Sequence, residues 1–527
     1  LKRFGWQKGP VLKQTILGWT HPLVLNALYL GVSLITQTNG LLAPLLVQEF
    51  VGKQNQGAYL GSLRLWTLMA GLLAQVLAGL VSDRLTVSWG RRRPVILAGS
   101  LGSMLSFAGL GFSTRLSGPA GYTLLFSSSM MLYISFNAAL GGLQGLIPDL
   151  VPHAKHGRYS GVKTLLELPI SLILVALTIA PLLEQRQFDA AIAIVLVVLL
   201  LTLLVNLTTH EEPAPKERPP FNAKPFLQAV AMVIIFTTLI LGAGKVLGLL
   251  EAGLGGEASP IARVIWVGGA GLLLIIAVVI LGVWITLRLS LDSHMRAPMP
   301  VSDLTTARHP RLETSFTWWV ISRLAFLVGV VNIGTFAVYF VQERLGFQAE
   351  QAANPAARLM TLVGIAILVA ALPGGWLSDR YGPRRLTAAS GLLAALGTGI
   401  ALTTNQLWLI YACGVLIGVA AGTFYTANWA VGTRLVPAQE AGRFLGIANL
   451  AGAGAGAIGA YLGGPLADYF SQRIPQYSGL GYLVLFSLFG LLFLVSAIAI
   501  LRVTEHRTIV SDSASLLSES HPAVGER

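Results

Sequence analysis

The chain has 527 residues, 54% hydrophobic and only 11% charged, with a mean hydropathy of +0.70. A soluble surface needs roughly a quarter of its residues charged, so a set of soluble domains is excluded. The net charge of +13 sits mainly in short loops between apolar runs, which points to membrane orientation and not to nucleic-acid binding.

Continuous runs of about 20 apolar residues mark bilayer-spanning helices. Their continuity is unlike the short alternating segments of a barrel. The first run starts after His21-Pro22, behind Lys2, Arg3, Lys8 and Lys13. With many runs following it, it reads as a retained helix and not as a cleaved signal peptide. The spans fall at 24–47, 58–80, 94–113, 122–147, 161–183 and 190–207, then at 226–250 and 261–287. The last six are 315–341, 357–377, 386–403, 407–433, 443–466 and 480–501, the close pair being split only at Thr403–Gln406.

The expected fold is an all-α polytopic membrane protein with fourteen spans: two six-helix bundles and two additional central helices. The bundles cover 22–207 and 315–502. Between them lie a Pro- and charge-rich linker at 208–225, an inserted hairpin at 226–287 and a second linker at 288–314. Residues 503–527 form a polar, disordered tail. Loop sorting places 25 Lys and Arg on one face and seven on the other: Lys53, Arg115, Arg186, Arg263, Arg344, Arg358 and Arg473. By the positive-inside rule the basic face is cytoplasmic and holds both termini, as in a multi-pass protein of the cell (inner) membrane.

Two phrases recur. Gly79-Leu-Val-Ser-Asp-Arg84, closing at Gly90-Arg-Arg-Arg93, is echoed by Gly375-Trp-Leu-Ser-Asp-Arg380 and Gly382-Pro-Arg-Arg385. Leu150-Val-Pro, ending at Arg158, is echoed 285 residues later by Leu435-Val-Pro, ending at Arg443. Duplicated multi-helix units are a common construction in membrane transporters. The signature Gly-x-x-x-Asp-Arg-x-Gly-Arg-Arg resembles that of the major facilitator superfamily of secondary transporters. The second copy fits it at Gly375, Asp379, Arg380, Gly382, Arg384 and Arg385. The enlarged first copy, ending Gly90-Arg91-Arg92-Arg93-Pro94, is similar to plant-type sucrose and glycoside symporters that use protons. Such symporters carry an acid in the fourth helix, whereas span 122–147 has none. Some members of the superfamily have fourteen helices with two between the halves, as expected here.

Gly79, Asp83, Arg84, Arg91, Arg92, Gly375, Asp379, Arg380, Arg384 and Arg385 are therefore gating candidates. The glycines would admit a neighbouring helix, and each Asp would accept from an Arg or a helix amino terminus in one packing of the halves. Arg158 and Arg443 join this set; positive-side anchoring explains them equally well. The resemblance implies a central cavity lined by spans one, four, nine and twelve. Asn26, Tyr29, Ser33 and Gln37 share a helical face in span one, and Tyr133, Asn137 and Gln144 do so in span four. Span nine adds Asn332, Thr335 and Tyr339, and span twelve adds Tyr425, Asn428 and Trp429. Neutral hydrogen-bonding groups with aromatic walls suit an uncharged polar or amphipathic solute. Arg64, Glu167 and Arg323 lie well inside spans and are coupling candidates, Glu167 being within reach of Lys163 one turn earlier. Pro169 is placed to kink span five.

The expected function is secondary active transport of a small solute, such as a sugar or glycoside, by alternating access with proton coupling. A proton-driven exporter of drug-like compounds and an uncoupled facilitator are the alternatives. The partners expected are solute, proton and lipid bilayer, and the expected state is a monomer. No enzyme, cofactor or metal site is expected: the eight histidines fall outside the spans, the single Cys413 excludes a thiolate cluster, and no nucleotide-binding loop is present.

Overall fold

The computed structural model of the chain describes residues 20–152, 155–209, 211, 224–253, 259–292, 310–435, 441–474, 477 and 479–504. The amino-terminal basic cluster, most of both linkers, the tail and the side chain of Arg443 lie outside the described residues.

The described residues form helices joined by short turns. These are α1 (Thr20–Val51), α2 (Gln56–Ser82), α3 (Arg93–Ser113), α4 (Gly118–Leu150), α5 (156–184), α6 (Phe188–Leu207) and α7 (Lys224–Gly253). They continue with α8 (260–292), α9 (310–345), α10 (Ala349–Tyr381), α11 (Pro383–Thr403), α12 (Leu407–Leu435), α13 (Ala441–Arg473) and α14 (Leu480–Leu501). Thirteen, among the described residues, are long and apolar enough to cross a bilayer, and α13 has 33 residues. In lipid the backbone must bond to itself, so each apolar run closes into a helix. Several helices overrun their apolar core. Span 357–377 becomes the 33-residue α10, roughly 50 Å long against a hydrocarbon core of about 30 Å.

Local chemistry sets the ends. Gln348 and Gln351 form a reciprocal cap at the start of α10, and Pro94 and Pro383 stand in the first turns of α3 and α11. Gly346 takes φ +72° to end α9. Three helices are broken. α5 contains π turns at Leu166–Ile170 and Val175–Ile179, α8 has one at Val264–Gly268, and α9 is interrupted at Phe336 between Pro310–Thr335 and Ala337–Leu345. Pro169 has no N–H to give, and the first π turn of α5 forms around it.

α1–α6 pack as one bundle and α9–α14 as the other, meeting where α2 lies along α13 and α5 along α10. The hairpin α7–α8 lies outside the α2–α13 seam. α7 touches both α2 and α13, with Gly244 against Tyr461 and Phe236 against Gly454, while α8 touches α9 and α13. Its outer surface, including Leu249, Ile261, Trp266 and Leu273, is exposed and apolar, as a lipid-facing surface requires.

Candidate functional site

The polar residues expected to face a cavity separate into helix joints and groups gathered around a cation. Asn26 is fully buried, and its Nδ2 donates to the carbonyls of Pro22 (2.9 Å) and Tyr159 (3.1 Å), tying α1 to α5. Asn332 donates likewise to Val328 (2.9 Å) and Ala455 (3.1 Å), tying α9 to α13. Asn137 donates to its own helix at Tyr133 (2.8 Å) and fills the space beside Gly71 of α2. Gln37 is half-buried and Gln144 exposed.

Three cationic groups mark the remainder. Arg64 donates from Nη1 to the Tyr133 hydroxyl at 2.7 Å, bringing α2 to α4. Arg323 donates from Nη1 to Asn428 Oδ1 at 3.2 Å and lies 5.6 Å from the Trp429 ring centroid, joining α9 to α12. Asn428 is held in turn by Trp319, whose indole N–H donates to its carbonyl at 2.7 Å. Tyr425 lies one turn before Trp429 on the same helix, half-buried. Lys163 pairs with Glu167 at 3.7 Å and lies 4.7 Å above the Tyr29 ring. Glu167 sits in the first π turn of α5, and its backbone carbonyl accepts from the hydroxyls of Ser33 and Ser171.

A second set of groups joins the bundles on the face opposite the basic one. Asp468 of α13, 5% exposed, accepts from the N–H groups of Gly57 (2.9 Å) and Ala58 (2.7 Å) in the first turn of α2. Those N–H groups have no partner within their own helix and carry the positive end of its dipole. The helices touch there at backbone level: a Cβ on Gly57, Gly61 or Gly464 would collide with the opposing main chain. Gln56 donates from Nε2 to Tyr482 (3.2 Å) and Glu343 (3.4 Å), and Gln472 reaches the Gln54 carbonyl. Tyr339, fully buried, donates its hydroxyl to the Pro44 carbonyl at 2.7 Å, so it seals α9 against α1. Arg186 pairs with Glu350, which raises the Arg186 pKa, and Asn354 donates to Glu184 at 2.9 Å.

On the basic face the first signature loop folds onto its own bundle. Arg92, 8% exposed, bonds Asp83 (2.8 Å), Asp149 (3.0 Å) and the Ser82 hydroxyl (3.1 Å). Arg91 bonds Asp149 at 2.8 Å, and that bond lifts its pKa above the ordinary arginine value. Glu211 accepts from the backbone N–H groups of Arg91 (3.0 Å), Arg92 (3.0 Å) and Arg93 (3.3 Å), capping α3. Gly90, at φ +115°, leaves room for that carboxylate. The linker expected to be flexible from 208 is thus anchored at Glu211, because three free N–H groups draw a carboxylate into a buried site. In the second loop, Arg384 donates to the Leu501 carbonyl at 2.6 Å, Arg380 lies over Trp376 and Tyr381, and Asp379 and Arg385 are exposed. Gly79 and Gly375, expected to admit a neighbouring helix, have nothing within 4 Å of a built Cβ. The close glycine approach between bundles lies at the other face. Arg84 and Arg158 are half-buried and engaged.

A family profile described as Major Facilitator Superfamily matches residues 319–517. Among curated proteins, "Multidrug resistance protein MdtH" of Photorhabdus laumondii is 27% identical over 121 residues, covering 23% of this chain and 30% of that protein. "Minor myo-inositol transporter IolF" of Bacillus subtilis is 32% identical over 94 residues, covering 18% of this chain and 21% of that one. These matches thus span less than a third of either relative. The solved nucleoside transporter NupG superposes with a TM-score of 0.61 at 11% identity, over 92% of this chain and 99% of that one. A D-xylose-proton symporter gives 0.59 at 15% identity, over 92% and 97%. The chain has the major facilitator fold.

Within that fold, several groups that organise the site escaped the sequence reading. Asp468 and Glu343 fall two residues beyond the ends assigned to their apolar runs, so they read as solvated ends. Asp149 and Glu211 stand among loop charges. The one available signal for Asp468 was its place four residues after Gly464, in a helix rich in small residues.

Proposed function

We propose that the chain is a secondary transporter that moves an amphipathic or polar organic solute by alternating access between the membrane faces. The observation that carries this reading is the seam on the face opposite the basic one. There, contacts between the bundles are numerous, buried and polar, while Trp429, Gln144, Asp83 and Asp379 are exposed toward the other end. That combination fits a carrier closed on one side and accessible from the other. The basic face is taken as cytoplasmic, with both termini there. The solute set narrows to Tyr29, Gln37, Tyr133, Tyr425, Asn428 and Trp429 with Arg64 and Arg323. Asn26, Asn332 and Tyr339 hold helices, and Asn137 and Gln144 line the approach.

Glu167 is the coupling residue of this reading, supported by its pairing with Lys163 and its place in a π turn of α5. The Asp83 and Asp379 loops govern the opening of the basic face. The fourth helix carries no acid within the membrane, and this favours amphipathic solutes over sugars. Flux in proteoliposomes tests the reading, using a panel of sugars, glycosides and amphipathic drugs with and without an imposed pH gradient. Gradient-driven accumulation of at least one class is expected, with E167Q retaining exchange and losing accumulation. Flux no greater than in empty liposomes across the panel would sink transport, and intact accumulation in E167Q would remove Glu167 from the coupling role.

A further inference from the structure

The three cationic groups described above are unequally neutralised. Lys163 has a carboxylate, Glu167, at 3.7 Å. Arg323 has no ion pair among the described residues; its polar contact is the neutral Asn428 amide. Its Nε is buried without a hydrogen-bond partner. Residues one turn away on its own helix, Trp319, Val320, Phe326 and Leu327, are uncharged, and the facing helix α12 contains no acidic residue from Leu407 to Leu435. Among the described residues, the side chain of Arg64 likewise bonds the neutral Tyr133 hydroxyl and no carboxylate.

A guanidinium keeps its charge in a membrane protein, and donors left unfilled out of water are costly. A tryptophan face attracts a cation without neutralising it. Asn428 occupies Nη1, which leaves the Nε–Nη2 edge as a two-pronged donor matched to a planar anion. Beside it stands the Trp429 ring, 40% exposed.

We propose that Arg323 anchors the anionic group of the solute, and that the solute is an organic anion: a carboxylate or sulfonate on an apolar or aromatic body that lies against Trp429. The uncharged solute suggested by the sequence then becomes an amphipathic anion. This rests on the transport reading for its purpose, but the binding chemistry is testable without flux.

Cysteine labelling in the full chain, reconstituted in lipid nanodiscs with Cys413→Ser as background, decides it. Single cysteines are placed at Trp429→Cys and, as a reference on the approach and not beside Arg323, at Gln144→Cys. Each is titrated with an anionic sulfonatoethyl methanethiosulfonate and its cationic trimethylammonioethyl counterpart, where the sulfonate is itself the probe anion. After correction for intrinsic thiol reactivity, position 429 is expected to favour the anionic reagent over position 144 by about tenfold, as a nearby unit charge in a partly screened site implies. R323Q should erase that preference, and R323K should keep most of it. Equal ratios at the two positions, or an unchanged ratio in R323Q, overturn the proposal. If R323Q is not recovered folded, the comparison of positions with Arg323 intact decides alone. A preserved preference without flux in liposomes would overturn the transport reading and leave the anion site standing; flux without the preference would do the reverse.

Discussion

The two ends of the molecule are held by different kinds of contact. Opposite the basic face, a carboxylate of one bundle caps a helix of the other, and backbones meet through glycine. On the basic face, Asp83, Arg92, Asp149 and Glu211 bind within the first bundle. On the alternating-access proposal, contacts of the first kind break when the bundles part and so set the balance between states. Contacts of the second kind lie within the first bundle and hold its signature loop in the shape from which the proposed gating would act. The duplicated loops themselves are unequal. Asp149 corresponds by repeat position to Arg434, so the second loop lacks the carboxylate that gathers two arginines in the first, and its Asp379 stands exposed.

Breaking the seam should have the largest effect. Asp468→Asn weakens two buried charge-assisted bonds worth roughly 1.5–3 kcal/mol each, so the closed-to-open ratio should fall at least tenfold. Spin labels at Lys53 and Arg473, both exposed on that face, should show a longer distance by pulsed electron resonance; an unchanged distribution would strip Asp468 of its role. Glu211→Gln comes next. Loss of a helix cap costs about 0.5–2 kcal/mol, so amide exchange should quicken in the first turn of α3 while the seam distance holds. A shift at the seam would contradict the division between the two ends. Asp83→Asn should cost less, about 1 kcal/mol or below, because that carboxylate is 48% exposed. Slower turnover with unchanged solute affinity is the expected result, measured by flux alongside equilibrium binding. Arg186→Gln, at a 65% exposed side chain, should leave the seam distance unchanged and alter stability by no more than about 0.5 kcal/mol, read from thermal unfolding.

Much of the fold was legible because apolar run length reports directly on bilayer crossing. The weak split at Thr403–Gln406 separates α11 from α12 as expected. Of the candidate site, the sequence exposes the charges deep inside a run, Arg64, Glu167 and Arg323. The site was illegible where the partner decided the role. Asn26 and Asn428 look alike in sequence, yet one amide joins α1 to α5 while the other receives an arginine. Nothing local distinguishes them, since the deciding atoms are more than 100 residues away. Tyr339 illustrates the same point: its helical face predicts a lining residue, and the break at Phe336 coincides with its bond to α1 at the Pro44 carbonyl.

The π turns of α5 bear on how this helix could tolerate change in length. Each turn accommodates an extra residue, equivalent to about 100° of rotation for everything beyond it. Glu184, which meets Asn354 of the other bundle, therefore points where it does because two such rotations have accumulated after Glu167. Deleting one residue at Val175–Ile179 would make that stretch regular α-helix while the π turn around Pro169 stays, with the far end of α5 facing a different neighbour. For this helix phase matters as well as position, so a one-residue change in length there alters which neighbour its far end meets.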